Sequence, residues 1–188
     1  RYLGMMSEQS TRMEMIVQDL LTLSSIESAP PPQNDIVDMA NLIDKLRRDA
    51  EGLSHGRHTI IAETDGRGDL SGAEPELVSA FGNLVANAVR YTPPGGTVRI
   101  SWHANAQGAE FAVQDSGIGI DPKHIPRLTE RFYRVDRGRS RDEGGTGLGL
   151  AIVKHSLNRH QAQLEIKSTP GIGSRFAAHF PASRIVGL

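Results

Sequence analysis

Two short glycine-rich stretches are the parts of this sequence best suited to hold a ligand close to the backbone. The first is DSGIGI at residues 115–120, and the second is GGTGLGL at residues 144–150. Glycine has no Cβ, so a loop rich in glycine lets backbone N–H groups approach a phosphate closely. Neither stretch has the Lys-Ser/Thr of a Walker A loop or the full spacing of a dinucleotide fingerprint. A phosphate compound held here would therefore be bound in another way.

The second glycine stretch leads directly into a predicted amphipathic helix that runs to about His160. Backbone N–H groups at the start of a helix attract anions, and small residues leave those groups accessible. The alternative is a flexible hinge in front of an ordinary helix. One segment can serve both purposes, because a mobile lid needs hinges.

The first glycine stretch follows a predicted strand that ends in a carboxylate. Phe111, Val113 and Asp115 alternate along EFAVQD, so Asp115 points to the same side as the two core residues. A carboxylate in that position needs a hydrogen-bond donor, because burying it unpaired is costly. The exocyclic amine of a purine is one candidate donor, and a nearby backbone N–H is the other. Gly117 and Gly119 suit a tight loop beneath a flat ligand.

A stripe of polar residues follows the predicted helix at residues 75–91. Asn83, Asn87 and Arg90 share one face at helical spacing, and Tyr91 comes at the end of the helix. Two carboxamides one turn apart can present oxygen atoms to Mg²⁺, and an arginine one turn further can reach a phosphate oxygen. The alternative is a solvated helix face on which the spacing of the asparagines is accidental.

Charge and composition exclude several classes of protein. Residues 123–141 contain seven Lys or Arg against two acidic residues. Such a run indicates a solvated loop or a surface that faces phosphate or a partner. Nucleic-acid binding is less favoured because the net charge of the chain is −1. The chain has no cysteine, which excludes disulfides, thiolate metal sites and a cysteine nucleophile.

The first predicted element is a helix at residues 3–28, which the prolines at 30–32 end. The helix is either packed on its own domain or one half of a helical hairpin, and the proline break favours the second interpretation. Its start at an arginine within the helix suggests a fragment of a longer protein. One stripe of the helix has the alternating steps of four and three that are typical of a coiled-coil seam. It consists of Met6, Ser10, Met13, Val17, Leu20 and Ser24. Ile16, Leu21 and Leu23 make this stripe wider than a strict seam.

Beyond the prolines, strands and helices alternate in a pattern that predicts an α+β domain with helices on one face of a sheet. Helices are predicted at residues 39–53, 75–91, 122–130 and about 149–160. Strands are predicted near residues 36–38, 58–63, 68–71, 97–104, 110–115, 163–168 and 175–180.

Each of these signals is ambiguous alone, but their order is specific. Paired asparagines on a helix, then DSGIGI, then ERFYR, then GGTGLGLAIVKH resemble the catalytic and ATP-binding domain of sensor histidine kinases, of the GHKL superfamily. That resemblance covers about residues 36–181. It implies the Bergerat fold, a two-layer α/β sandwich with a mixed, mostly antiparallel sheet. Residues 1–29 resemble the end of the second helix of the dimerisation and phosphotransfer hairpin, followed by a linker at 30–35 and the catalytic domain at 36–188.

The resemblance also assigns roles to individual residues. Asn87 would bind Mg²⁺ beside Asn83, Asp115 would accept a hydrogen bond from the adenine amino group, and residues 135–146 would form the ATP lid. Arg131 and Arg134 are candidate contacts of the γ-phosphate and, with Asn83, candidate catalytic residues. The remaining residues that the resemblance places around ATP are Arg90, Tyr91, Gly117, Gly119, Ile120, Phe132, Tyr133, Gly145, Thr146, Gly147, Leu148 and Gly149.

The resemblance implies partners as well. They would be ATP, the dimerisation hairpin of a homodimer and a response regulator, with no nucleic acid. HIPRLTERFYRVDRGRSR and LLTLSSIE look most like sensor kinases of the phosphate regulon, so the regulator would be PhoB-like. The location would be the cytoplasmic side of a bacterial inner-membrane sensor, with this fragment itself soluble.

One departure from the family pattern concerns the phosphoacceptor. None of the seven histidines lies in an H box, so the fragment should bind ATP without phosphorylating itself. The hydrolytic relatives have a glutamate where Asn83 stands, and an amide cannot act as that base. The alternatives are a GHKL-type regulatory module that only binds nucleotide, or an ATPase without histidine kinase activity.

Overall fold

The structure is a computed structural model that describes residues 2–65, 67–135 and 145–188. The α-helices among these residues are α1 (Tyr2–Ser28), α2 (Met39–Ser54), α3 (Glu74–Tyr91) and α4 (Gly149–Arg159). The strands are β1 (Asp35–Val37), β2 (Thr59–Thr64), β3 (Asp69–Gly72), β4 (Thr97–Asn105), β5 (Gly108–Asp115), β6 (Gln163–Thr169), β7 (Gly173–Pro181) and β8 (Ile185–Val186).

Five strands form the main sheet in the order β2-β4-β5-β7-β6. β2 and β4 run parallel, and the other neighbours are antiparallel, which confirms the predicted mixed and mostly antiparallel sheet. A second, antiparallel sheet of three strands, in the order β1-β3-β8, was not predicted. Its strand β8 has two residues, too few to show an alternating pattern. The predicted helix at 122–130 is a shorter 3₁₀ helix over Pro122–Arg127, with Pro126 inside it.

Helix α3 forms where the sequence predicted it and packs on the sheet through one stripe. Pro75 stands in its first turn, a position where the missing N–H costs nothing. Leu77, Phe81, Leu84 and Ala88 are all buried, as their spacing predicted. The ring of Phe81 stacks on Phe111 of β5 with a centroid separation of 3.9 Å. This packing fixes the rotation of α3, and with it the direction of the polar stripe beside the apolar one.

Helix α1 lies against α4 through one of its faces. Leu23 and Ile26 are buried, with 1% and 5% of their surface exposed, in a cluster with Leu148, Ala151 and Ile152. Burying two such side chains stabilises the contact by about 3–6 kcal/mol before the cost of ordering is subtracted. The helix therefore packs on its own domain, which is one of the two interpretations of the sequence.

The predicted coiled-coil stripe of α1 points elsewhere. Met13 and Val17 are 66% and 54% exposed, and Leu20 is exposed as well. At 3.6 residues per turn, this stripe is centred roughly 130° around the helix from the Leu23 and Ile26 face that contacts α4. Packing on the domain and pairing with another helix thus use different faces of α1, and the second interpretation stays a prediction.

The proline segment after α1 is held to the domain by an arginine. Arg159 of α4 donates to the carbonyl oxygens of Ala29, at 3.0 Å, and Pro30, at 2.5 Å. The same guanidinium donates to Glu76 of α3 at 2.9 Å. In the part of the chain that the structure describes, no helix is both long and apolar enough to cross a membrane.

Candidate functional site

Asp115 lies at the end of β5, almost fully buried, with 8% of its surface exposed. Its Oδ1 accepts from the backbone N–H of Gly117 at 2.8 Å and of Ser174 at 3.3 Å. Burial raises the pKa of the Asp115 carboxyl, and these two hydrogen bonds oppose the rise. Its Oδ2 accepts no hydrogen bond from the residues that the structure describes. One oxygen is thus held by the backbone, and the other is available to a donor from outside.

The loop after Asp115 is fixed to two other elements. The N–H of Ile118 donates to the carbonyl of Tyr91, at the end of α3, over 3.2 Å. Gly119 faces the backbone of Thr169 at the end of β6. The N–H of Ile120 donates to Ser168 Oγ at 2.8 Å. These contacts join the DSGIGI loop to the end of the polar helix stripe.

Asn83 and Gly149 meet where α3 and the start of α4 come together. A Cβ on Gly149 would lie 2.5 Å from Asn83 Oδ1, so an alanine does not fit there without displacing the amide. The amide Nδ2 of Asn83 donates to the carbonyl of Ser79 at 2.9 Å, which directs Oδ1 toward Gly149. Among the described residues, no side chain caps the first turn of α4, so the N–H groups of that turn have no side-chain partner, as an anion site at a helix start requires.

Two arginines and a tyrosine converge on Gly145. A Cβ on this glycine would lie 3.2 Å from Arg90 Nη1, 3.8 Å from Arg134 Nη2 and 3.9 Å from the hydroxyl of Tyr91. Tyr91 therefore spans the site, because its carbonyl oxygen binds the DSGIGI loop and its hydroxyl lies near the second glycine stretch. The two cations favour an anion beside the open end of α4.

The ERFYR segment is joined directly to the second glycine stretch. The N–H of Phe132 donates to the carbonyl of Gly147 at 2.8 Å. Gly147 has a φ of +77°, and a Cβ there would lie 2.9 Å from the Cα of Phe132. A glycine is needed at this position both for its conformation and for the space. Phe132 itself has a φ of +62° and is 56% exposed.

Asn87 occupies the same helix stripe as Asn83, one turn further along, and is half-buried. Its amide makes no hydrogen bond to any residue that the structure describes. Within those same residues, no group of three or more His, Asp or Glu side chains is placed to hold a metal ion. An ion that keeps most of its water and takes amide oxygen, as Mg²⁺ does, suits such a stripe better than an ion that needs a full set of protein ligands.

Some of the predicted site residues have side chains engaged elsewhere. The hydroxyl of Tyr133 lies 2.6 Å from His124 Nδ1. Arg131 pairs with Glu27 of α1. Leu148 is completely buried against α1, although its backbone N–H donates to the hydroxyl of Thr146 at 3.2 Å. Residues 136–144, most of the predicted ATP lid, lie outside the described residues.

Of two cavities among the described residues, one lies outside this constellation and the other is lined in part by Asp115. One, of about 460 Å³, lies between the 3₁₀ helix, α4 and β6 and is lined by Ile125, Lys154 and Leu157 among others. The other, of about 320 Å³, adjoins Asp115 at the end of the sheet and continues toward Arg99 and Lys167. Neither is lined by Asn83 or Gly149, so contacts between motifs define the site more clearly than a cavity does.

The sequence did not single out Ser174, whose N–H binds Asp115, or Ser79, which orients Asn83. Ser174 reaches Asp115 only because β5 and β7 pair in that register, and no pattern within one strand reveals such a pairing. Ser79 lies four residues before Asn83 on the same helix, so helical spacing was a signal that could have identified it. Asp19 and Glu27 of α1, which contact the glycine stretch and ERFYR, were also missed.

Residues 72–184 match the model of the family described as histidine kinase-, DNA gyrase B- and HSP90-like ATPases. The chain belongs to this family. The match begins just before α3 and ends after β7, and so contains every motif of the site. The kinases of this family bind ATP, which agrees with a site that combines a buried acceptor with an uncapped helix start and two cations.

Curated relatives agree over nearly the whole chain. The phosphate regulon sensor protein PhoR of Pseudomonas aeruginosa is 52% identical over 187 residues, which is 98% of this chain and 42% of the relative. PhoR of Haemophilus influenzae is 41% identical over 96% of this chain and 43% of the relative. The chain thus spans less than half the length of these relatives. The solved structure of the mycobacterial sensor histidine kinase MprB matches with a TM-score of 0.68 at 27% identity, over 79% of this chain and 97% of that one.

Proposed function

We propose that this chain is the ATP-binding catalytic module of a two-component sensor histidine kinase, which transfers the γ-phosphate of ATP to a histidine on a dimerisation hairpin. The observation that carries this proposal is the meeting of Asn83 with Gly149 at the uncapped start of α4, beside the two arginines at Gly145. The proposal is supported by the similarity to the sensor histidine kinase MprB and to the relatives named phosphate regulon sensor protein PhoR.

The two ends of the site suit the two ends of ATP. Asp115 Oδ2 is an acceptor in a nearly dry position, and the amino group of adenine is a donor of matching kind. The open N–H groups at Gly149 and the guanidinium groups of Arg90 and Arg134 suit the phosphates. Asn87 would contribute an oxygen to Mg²⁺, which neutralises phosphate charge when bound. Asp115 and the arginines would hold the nucleotide in one orientation, and positioning of this kind contributes much of the catalysis of phosphoryl transfer.

The chemistry of Asn83 favours transfer over hydrolysis. A carboxylate at this position could take a proton from water, whereas an amide cannot. Its Nδ2 is also committed to the Ser79 carbonyl. We therefore expect slow intrinsic hydrolysis of ATP, with the phosphate passing to an imidazole when one is presented.

The acceptor is proposed to lie on a hairpin of which α1 is the second helix. None of the seven histidines of the chain has H-box surroundings, and the coiled-coil stripe of α1 is exposed and available to another helix. From the PhoR relatives, we infer a membrane-anchored dimeric sensor that signals phosphate supply to a PhoB-like response regulator, with this module on the cytoplasmic side.

The test is transfer of label between two purified parts. The chain is mixed with a separately produced dimerisation hairpin of a PhoR relative and ATP labelled at its γ-phosphate. Acid-labile label should appear on the hairpin, and none should appear on a hairpin whose acceptor histidine is replaced. Nucleotide binding without any transfer would support a regulatory module instead. Rapid release of inorganic phosphate without a hairpin would support an ATPase.

A further inference from the structure

A histidine just before β2 holds the end of the polar helix α3. His58 Nε2 lies 2.8 Å from the carbonyl oxygen of Thr92, the residue that caps the C-terminal end of α3. A carbonyl oxygen only accepts, so this ring nitrogen carries the hydrogen. His58 Nδ1 lies 3.1 Å from the hydroxyl oxygen of Ser54, which also accepts from the backbone N–H of His58 at 3.0 Å. The imidazole therefore bridges the ends of two helices, α2 and α3.

The groups of this bridge are largely shielded from water. Ser54 is 1% exposed and Thr92 is 4% exposed, and His58 is half-buried. The hydroxyl of Thr92 donates to the carbonyl of Ala88 at 2.6 Å, so the side chain of Thr92 is bound as well as its carbonyl. A buried carbonyl at the end of a helix needs a donor, because leaving it unpaired costs the desolvation of that group. The histidine supplies that donor.

The residue that holds the DSGIGI loop is the last one of α3. The carbonyl of Tyr91 accepts from the N–H of Ile118 at 3.2 Å. Gly117 lies so close to that carbonyl that a Cβ there would be 2.4 Å from its oxygen. The loop is also bound at the start of β4, because Thr97 and Ser116 exchange two hydrogen bonds, of 2.8 and 3.0 Å. The position of the loop therefore depends on where α3 ends.

Backbone hydrogen bonds hold the rest of the connection between α3 and β4. In the TPPGG turn (92–96), the N–H of Gly95 donates to the carbonyl of Arg57 at 2.7 Å, and the carbonyl of Gly96 accepts from Thr59 at 2.9 Å. These bonds fix the far end of the turn whatever side chain precedes β2. The end next to α3 is where the side chain of the histidine matters.

We propose that His58 is a positioning residue of the nucleotide site. By holding the end of α3, it keeps the carbonyl of Tyr91 where it fixes the DSGIGI loop in the orientation that receives adenine. The inference rests on the proposed function, because it takes this loop, with Asp115, as the adenine end. His58 acts through Thr92 and Tyr91, so replacing it should weaken nucleotide binding without removing a donor or acceptor of the site itself.

The test uses two amides of different length in the whole chain. In His58→Gln the amide nitrogen reaches the place of Nε2 and can still donate to the Thr92 carbonyl. In His58→Asn the amide reaches only the place of Nδ1, toward Ser54. The matched control is His55→Asn, the same change at an exposed residue whose φ of 49° suits asparagine.

Calorimetric titration with MgATP measures the effect on binding. His58→Asn should bind MgATP about two- to tenfold more weakly than the wild type, the range that corresponds to the loss of one hydrogen bond between neutral groups. His58→Gln should restore the affinity, because it restores the donor to Thr92. His55→Asn should match the wild type.

Amide hydrogen exchange measured by NMR reports on the loop itself. The N–H of Ile118 should exchange faster in His58→Asn than in the wild type and His58→Gln, because its acceptor is no longer held in place. Val113 lies in β5 and is buried, so its N–H reports on the domain as a whole, and its exchange should not change. A histidine that only stabilised the domain would alter both rates.

The possible failures are distinct. Unaltered MgATP affinity in His58→Asn would overturn the inference and leave the proposed function standing. An equal loss of affinity in His58→Gln, or faster exchange of both amides in His58→Asn, would also overturn it. Absence of MgATP binding in the folded wild type would overturn the proposed function, whereas the exchange of Ile118 would still decide whether His58 holds the loop.

Discussion

Replacing Asp115 by Asn tests the proposed adenine end of the site with little disturbance of the fold. An asparagine has the shape of aspartate, and its carbonyl oxygen can still accept from the N–H groups of Gly117 and Ser174, which now bind Oδ1. The second oxygen, which has no partner among the described residues, becomes an NH₂ group. The change therefore converts the atom proposed to face adenine from an acceptor into a donor.

The size of the effect follows from the burial of this group. A hydrogen bond to a charged partner contributes about 1.5–3 kcal/mol, and it is lost here in a position that is 8% exposed. This loss corresponds to a dissociation constant for ATP that rises by about ten- to more than a hundredfold. The stability of the folded protein at neutral pH should instead rise in Asp115→Asn. Burial raises the pKa of Asp115 in the folded state, so its charge disfavours folding at neutral pH, and that cost disappears as the pH falls and the carboxyl takes up a proton.

Calorimetric titration with MgATP and thermal unfolding at pH 7 measure both effects. The matched control is Asp121→Asn, which removes a carboxylate six residues away that is exposed and caps the 3₁₀ helix, where Asn serves equally well. The control should bind ATP like the wild type. Unaltered ATP affinity in Asp115→Asn would refute its adenine role. Weaker binding together with a large fall in unfolding temperature would refute the claim that the fold is unaffected.

Three further predictions concern other parts of the site and the core. Asn87→Ala should abolish the contribution of Mg²⁺ to ATP affinity without lowering the unfolding temperature, and titrations with and without Mg²⁺ check this. Gly149→Ala should weaken ATP binding, because its Cβ would lie 2.5 Å from Asn83 Oδ1. The control is Gly82→Ala, where a Cβ meets nothing within 4 Å. It should leave ATP binding intact and stabilise the protein by about 0.5–1 kcal/mol. Burial lowers the pKa of His160, so the free energy of unfolding should fall as the pH drops below about 6.5. Urea unfolding at several pH values should show a smaller fall in His160→Gln than in the wild type. An equal dependence of stability on pH in the two proteins would contradict this.

Local pattern was sufficient for most of the fold. The stripe of Leu77, Phe81, Leu84 and Ala88 predicted both the helix and its buried face, since a period of 3.6 residues is a property of one segment. The small second sheet was not predictable in this way. β8 has two residues and exists only because β3 is there to pair with it. The parallel pairing of β2 with β4 likewise depends on where the connecting chain brings them.

By itself, the sequence determined which residue types stand at the site and in which order, because motifs such as DSGIGI are written in adjacent positions. Only the tertiary structure decided which groups meet. It brings Ser174 to Asp115 through strand register and Gly149 to Asn83 through the packing of two helices. It also decided the face by which α1 docks, since several faces of that helix carry apolar residues. Burial against α4 selects Leu23 and Ile26, and with them the carboxylates of Asp19 and Glu27.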